Sequence, residues 1–403
     1  MLALSVITYF DRIAISSASP IIVADLHLSA IQIGWVFSAF TFAYAAFEIP
    51  SGWLGDVIGP RKVLARIVLW WSAFTALTGA AWNFGSLLAM RFLFGAGEAG
   101  AFPNMSRSFS RWIPADERGD AHGQIIMGTR LGGAVTPLVM APLIAWIGWR
   151  ASFAILGVVG VAWCACWLAW FRDDPADHPS VNAGELAEIR RGQVSDPGAM
   201  PDWREVLSVD LLLICLMYFC VAYALYFNLT WLPLYLRDAR GFSARQASIG
   251  SGIVLLGGAF GTWAGGRLTD WLARRRGLRV ARATGVVALP LSGLLVLLTA
   301  YTHDPIATIV LLTLTLASAD LVMAPSWSLC HDVGGTRAGA VTGAMNTFGN
   351  LGGAMSPLVV GYAVQWWQSW TIPFYVTAAV YVVGGLLTLA IDPTRARRQA
   401  RTP

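Results

Sequence analysis

A chain whose apolar residues come in runs of helix length has few folds open to it. Windows of roughly 20 residues, enough to carry a helix across a hydrocarbon layer of about 30 Å, fall near 1–24, 31–54, 62–82, 85–108, 119–146 and 150–172. Six more follow near 207–236, 244–270, 282–301, 306–330, 337–366 and 370–391. The pattern predicts an all-α membrane protein with twelve transmembrane helices in two six-helix bundles. Composition agrees: only 13% of residues are charged, against about 25% in soluble domains, and the mean hydropathy is +0.59. The 19 Trp and 41 Gly fit as well, since Trp anchors at the lipid interface and Gly lets membrane helices approach closely.

Between the two sets, DDPADHP and SDPGAMPD flank a short helical ELAEIRR stretch, the composition of a solvated linker. The expected organisation is a bundle over 1–172, a cytoplasmic linker over 173–205, a second bundle over 206–392 and a cytoplasmic tail over 393–403. Orientation follows from Lys and Arg, which favour the cytoplasmic side. Alternate connections and the tail hold twenty of them, while the opposite side holds four, Arg150, Arg237, Arg240 and Arg245. Both termini and the linker are therefore expected in the cytoplasm, with the protein in the inner (plasma) membrane. No cleavable leader is expected, because Asp11 and Arg12 interrupt the first apolar run and no basic segment precedes it. The first span starts at Met1 itself, the pattern expected of a late start site or a shortened tail.

The net charge of +5 comes from short basic runs between apolar segments, which excludes a nucleic-acid patch. The five cysteines lie in or beside apolar segments, and Cys164 and Cys166 lack metal-site spacing. They read as packing residues. No metal or cofactor is expected, and neither is an enzyme. No Ser/His/Asp set or phosphate loop appears, and only His331 with Asp332 is suggestive.

The two halves repeat each other. LGGAVTPLV at 131–139 matches LGGAMSPLV at 351–359, and GWLGD at 52–56 matches GRLTD at 266–270. Parallel six-helix repeats imply a pseudo-two-fold axis along the membrane normal and a substrate cavity between the halves. The stretch Gly52-Trp-Leu-Gly55-Asp56-Val-Ile-Gly59-Pro60-Arg61-Lys62 joins the second and third spans. Its glycines permit a tight turn, and Asp56 can pair with a helix end or an arginine in one transport state. Gly52, Asp56, Arg61 and the repeat counterpart Asp270 are thus candidate gating residues, with a plain charged turn as the alternative.

Here the chain resembles the major facilitator superfamily, whose signature lies in this loop. Within it, Tyr9-Phe-Asp11-Arg12, Arg91 through Pro103 with GAGEAGAFP, Arg111 through Gly119, and Met345 through Gly353 resemble the anion:cation symporter family. The resemblance covers essentially the whole chain. It implies proton-coupled symport of an organic anion, a sugar acid or other carboxylate, by alternating access, with a small organic anion and protons as partners and action as a monomer.

The charged residues carry that reading from their own chemistry. A charge at the centre of a bilayer costs at least about 2.5 to 3.5 kcal/mol on insertion scales, so intramembrane charges mark a function. Asp11 lies about 15 Å into the first span, near the midplane, and can bind and release a proton. Arg91 and Glu98, seven apart, share a helix face. The resemblance gives Glu98 a proton-coupling role, alongside Asp11, and gives Arg91 a substrate or coupling role. Arg12 joins them, since a guanidinium donates two parallel hydrogen bonds to a carboxylate and stays charged. Static ion pairs among these groups are the alternative.

Arg130 is a further deep arginine. Many members of the family carry glutamine there, so substrate specificity does not transfer. A second anionic group on the substrate, or neutralisation of Asp11 or Glu98, would each account for it. Tyr44 matches a substrate-contacting tyrosine of the family. In the second half, Tyr223, Asn346 and Asn350 suit substrate hydroxyls or, alternatively, interhelical hydrogen bonds. Asp320 in the tenth span has no assigned role. The competing functional readings are an organic-anion or organophosphate exchanger without proton coupling, a cation exporter, and a non-transporting sensor.

Overall fold

The computed structural model describes residues 1–114, 117–191, 208–334 and 338–392, without the side chains at 56, 119, 331 and 338–340. The side chain of Asp56, the linker beyond Arg191 and the 393–403 tail lie outside the described residues. All regular structure among the described residues is helical. The first half contains α1 (Leu2–Asp25), α2 (Ala30–Ile58), α3 (Pro60–Thr78), α4 (Phe84–Glu98), α5 (Ala101–Trp112), α6 (Arg118–Trp170) and the short α7 (Ala183–Ile189). The second contains α8 (Val209–Thr230), α9 (Ala244–Arg276), α10 (Leu278–Arg282), α11 (Gly285–Tyr301), α12 (Pro305–Asp320), α13 (Met323–Gly334), α14 (Ala338–Trp367) and α15 (Thr371–Ala390). Eight helical stretches among the described residues are long and apolar enough to cross a membrane.

The ends of these helices follow local chemistry. Asn83 begins α4 as a reciprocal cap: its Oδ1 accepts from the Ser86 backbone N–H at 2.8 Å, while Ser86 Oγ accepts from the Asn83 N–H at 3.1 Å. Such a box satisfies donors that a helix start leaves open. Ser243 and Gln246 build the same device at α9. The 53 residues of α6 would measure about 80 Å as one straight helix, too long for a single crossing. The turn falls at Gly148, whose backbone is non-helical at φ 78°, between the two apolar windows read from the sequence.

Two spans are broken inside the apolar layer. The window 85–108 divides into α4 and α5 across Ala99–Gly100, and the window 306–330 divides into α12 and α13 across Leu321–Val322. Gly100 has φ +86°, and a Cβ there would stand 2.6 Å from the Ser51 side chain. Both the backbone conformation and the space demand glycine.

The chain forms two compact units, residues 1–27 with 39–198, and 28–38 with 199–403. In the first, α1 packs on α6, and α3 packs on α4 and α6. In the second, α8 packs on α14 and α15, and α11 packs on α12 and α15. The first turns of α2 belong to the second unit, where Ser38 Oγ donates to the Ala354 carbonyl at 2.6 Å. The internal repeat is visible in the packing. A Cβ on Gly132 would meet the Val6 carbonyl oxygen of α1 at 2.4 Å, and one on Gly352 would meet the Phe219 carbonyl oxygen of α8 at 2.3 Å.

Gly132→Leu should therefore force α1 from α6 and lower stability by about 1–3 kcal/mol, as overpacking does. The thermal unfolding midpoint in detergent should fall, while Gly123→Leu, at a position with no atom within 4 Å of the added Cβ, should leave it unchanged.

Candidate functional site

Four intramembrane charges of the first unit meet in one cluster built from α1, α2, α3, α4 and α5. Asp11 and Arg12 come from the middle of α1, Tyr44 from α2, and Arg91 and Glu98 from α4. Arg12 Nε donates to Glu98 Oε1 at 2.5 Å, with the Glu98 side chain wholly buried and that of Arg12 11% exposed. The guanidinium is enclosed by aromatic rings. Its carbon lies 5.0 Å from the Tyr9 ring centroid, 5.1 Å from Phe40, 4.6 Å from Tyr44 and 5.7 Å from Phe102. Ring faces carry negative electrostatic potential, so this cage solvates a cation where water is scarce.

Arg91 is the second buried cation, 1% exposed, 4.2 Å from the Phe94 ring centroid and 5.5 Å from Phe40. It makes no direct ion pair among the described residues, yet stands within electrostatic reach of Glu98, Asp11 and Arg12. Asp11, 2% exposed, is within reach of Glu98 and Arg91 and lies beside the Trp71 indole of α3. The breaks in local order serve this geometry. α4 ends at Glu98 itself, and the left-handed Gly100 turns the chain so that Phe102 of α5 returns to the cage.

The cluster retains unused hydrogen-bonding capacity. Arg91 Nε and Nη1, Asp11 Oδ2 and Glu98 Oε2 are all buried with no hydrogen-bond partner among the described residues. Each such group costs roughly 1–3 kcal/mol when left unmet. A cluster kept only for stability would satisfy them; this one can accept protons on two carboxyls and donate to an anion from Arg91.

The other expected site residues are placed as follows. Arg130 on α6 is half-buried, three residues before Gly133, which abuts Ile13 and Tyr9; its helix face thus adjoins the Tyr9 side of the cage. In the second unit Tyr223 on α8 is 4% exposed and Asn350 on α14 is 8% exposed, with half-buried Asn346 one turn before it. Gly52 lies against Pro103 of α5, whose Cβ would be 3.3 Å from an added one. The Arg61 N–H donates to Asp173 Oδ1 at 2.9 Å, and Arg111 approaches the same carboxylate at 3.5 Å. Asp270 on α9 is exposed. Sequence reasoning missed the cage rings Phe40 and Phe102, the Phe94 ring beside Arg91, the Trp71 indole and the Asp173 anchor. A signal existed for some: Tyr9 precedes Arg12 by three, Phe94 follows Arg91 by three and Phe40 precedes Tyr44 by four, spacings that share a helix face.

Known proteins place this arrangement. The profile of the Major Facilitator Superfamily matches residues 1–357. The chain is 39% identical to the probable sulfoacetate transporter SauU of Cupriavidus necator, covering 96% of this chain and 91% of that protein. It is 31% identical to the D-galactonate transporter of Escherichia coli O6:H1, covering 94% and 91%. It is 30% identical to the hexuronate transporter of Bacillus subtilis, covering 96% and 90%. Among solved structures, the crystal structure of a bacterial homologue of the human lysosomal transporter Spinster superimposes with a TM-score of 0.78 at 17% identity, covering 100% of this chain and 97% of that one. The protein defined by this fold and these relatives is a multi-pass membrane transporter, not an enzyme. It belongs to the Major Facilitator Superfamily.

Because Glu98 is wholly buried, Arg12→Gln should strand its carboxylate and destabilise the protein by about 3–5 kcal/mol, the cost of removing one partner from a buried pair. The double variant Arg12→Gln with Glu98→Gln should recover most of that loss in thermal unfolding.

Proposed function

We propose that this protein takes up a small organic anion together with protons across a bacterial plasma membrane, as a monomer with twelve spans and both termini in the cytoplasm. One observation carries the reading: two carboxyls and a guanidinium, each buried, retain unmet hydrogen-bonding atoms in one intramembrane cluster. The relatives' names, which cover a sulfoacid and several sugar acids, support an organic acid as substrate.

Asp11 and Glu98 are the proton sites. Arg91 and Arg12 recognise the anionic group, aided by Tyr44, and Arg130 borders the same cage. Tyr223, Asn346 and Asn350 serve the uncharged part of the substrate from the second bundle. Gly52, Asp56, Arg61 and Asp270 belong to the loops that gate the cycle. In alternating access, protons on Asp11 and Glu98 reduce the buried negative charge, leaving the arginines available to the anion. Binding then offsets the remaining positive charge and lowers the cost of occluding the site. Release of the protons to the cytoplasm restores the Arg12–Glu98 pair and expels the anion.

The test is uptake into proteoliposomes of sulfoacetate, D-galactonate and a hexuronate, each with and without an inwardly directed proton gradient. At least one should accumulate only with the gradient. Glu98→Gln should lose accumulation while keeping exchange of the same substrate across the membrane. Accumulation that ignores the gradient, or survives in Glu98→Gln, would replace symport with uncoupled exchange.

A further inference from the structure

A serine–histidine pair stands between the buried acids and the end of the first unit that carries Arg107, Arg111 and Arg118, the cytoplasmic end on the topology proposed above. Ser106 lies five residues into α5, about 8 Å along it. It follows Phe102, the ring that α5 contributes to the Arg12 cage, by four residues, so the two share a helix face. That face leads from the Arg12–Glu98 pair past Phe102 to Ser106. There His122 of α6 meets it, with Nε2 3.0 Å from Ser106 Oγ. The Phe109 ring packs T-shaped on the imidazole, their centroids 5.4 Å apart. Ser106 is half-buried and His122 is exposed.

The hydrogen bonds fix which nitrogen is basic. His122 Nδ1 lies 2.8 Å from the Arg118 carbonyl oxygen. A carbonyl only accepts, so Nδ1 carries the hydrogen and Nε2 accepts from the Ser106 hydroxyl. When the ring gains a second proton, Nε2 becomes a donor, and the serine oxygen, which both donates and accepts, turns to receive it. Both charge states thus keep both hydrogen bonds, and an imidazole exchanges protons near physiological pH. The charged groups on the surrounding faces are Arg107 and Arg111 of α5 and, on the same helix, Arg118 and Asp120. Arg118 turns away, donating to the Ile113 and Ser110 carbonyls at 3.2 and 2.9 Å. α1, which also packs on α6, brings no charged side chain before Asp11.

We propose that Ser106 and His122 form the proton exit of the first unit, with His122 taking the proton that Glu98 gives up. The proposal rests on the symport reading above. In the step, the Glu98 carboxyl loses its proton to water, and water passes one to Ser106 Oγ as the serine's own proton moves to His122 Nε2. Glu98 is left a carboxylate and His122 an imidazolium. Loss of the Nε2 proton to cytoplasmic water resets the pair. His122 governs the rate of release, not the number of protons carried.

Proteoliposomes of the full-length protein, oriented with this end facing the lumen, separate the two roles His122 could have. The probe is whichever of sulfoacetate, D-galactonate and a hexuronate the unmodified protein accumulates. Net uptake releases protons into the lumen in every cycle; exchange of labelled for unlabelled probe does not require it. His122→Gln keeps a hydrogen-bonding amide without the proton carrier. It should slow net uptake at least about tenfold, in line with the loss of an acid–base group, while exchange and final accumulation hold. An impermeant imidazole buffer enclosed in the lumen should restore the net rate. Equal loss of net uptake and exchange, without recovery on imidazole, would make the role structural and overturn the proposal. Net uptake as fast as that of the unmodified protein overturns it too. Should His122→Gln fail to fold, Ser106→Ala decides by the same comparison. Uptake by the unmodified protein that ignores the proton gradient overturns symport itself, and the exit with it.

Discussion

An arginine and a glutamate joined inside hydrocarbon set the terms for the rest of the first unit. In water an ion pair such as Arg12–Glu98 is optional; within a bilayer both charges must be answered locally or neutralised. The surrounding chemistry follows from that demand. Four rings from three helices enclose the guanidinium, because aromatic faces are among the few apolar surfaces that stabilise a cation. Glu98 terminates its helix, and Gly100 supplies the left-handed turn that brings Phe102 back to the cage. Close packing of α1 on α6 through Gly132 holds the Arg12 helix in register.

The cluster is poised rather than sealed. A structural ion-pair network of this size would be expected to use its donors and acceptors fully, since unmet buried groups weaken a fold. Arg91 instead keeps two nitrogens, and Asp11 and Glu98 one oxygen each, without a hydrogen-bond partner among the described residues. Under the proposed symport, those four atoms are where the protons and the anion bind. Charge exchange at this cluster can bias a conformational equilibrium because the cost of burying the group changes with each proton or anion bound.

The two units show how one architecture carries different chemistry. Both repeat the same glycine contacts and both break a span beside a buried acid; in the first the acids pack against arginines, and in the second Thr262 donates to Asp320. Duplicated packing with unequal charge is what a carrier needs if one half is to answer the anion and the other its neutral groups. The family relationship establishes a membrane transporter without fixing the substrate.

The sequence by itself determined the membrane class, the all-helical fold, the repeat and the identities of the intramembrane charges, because those depend on hydrophobic run length and on residue type, which are local. The turn between the fifth and sixth spans at Gly148 was legible for the same reason. Tertiary structure alone decided which charges meet. Seven-residue spacing allowed Arg91 to face Glu98, but Glu98 bonds to Arg12, eighty-six positions away, since helix packing and the break at Gly100 control where each side chain points. The breaks after Glu98 and Asp320 were equally invisible: both windows read as unbroken apolar helices, and only close approach of neighbouring backbones makes the interruption favourable. Asp173, which reads as part of a solvated linker, anchors the Arg61 turn for the same reason: a contact between distant segments is a property of the packed chain, not of the local one.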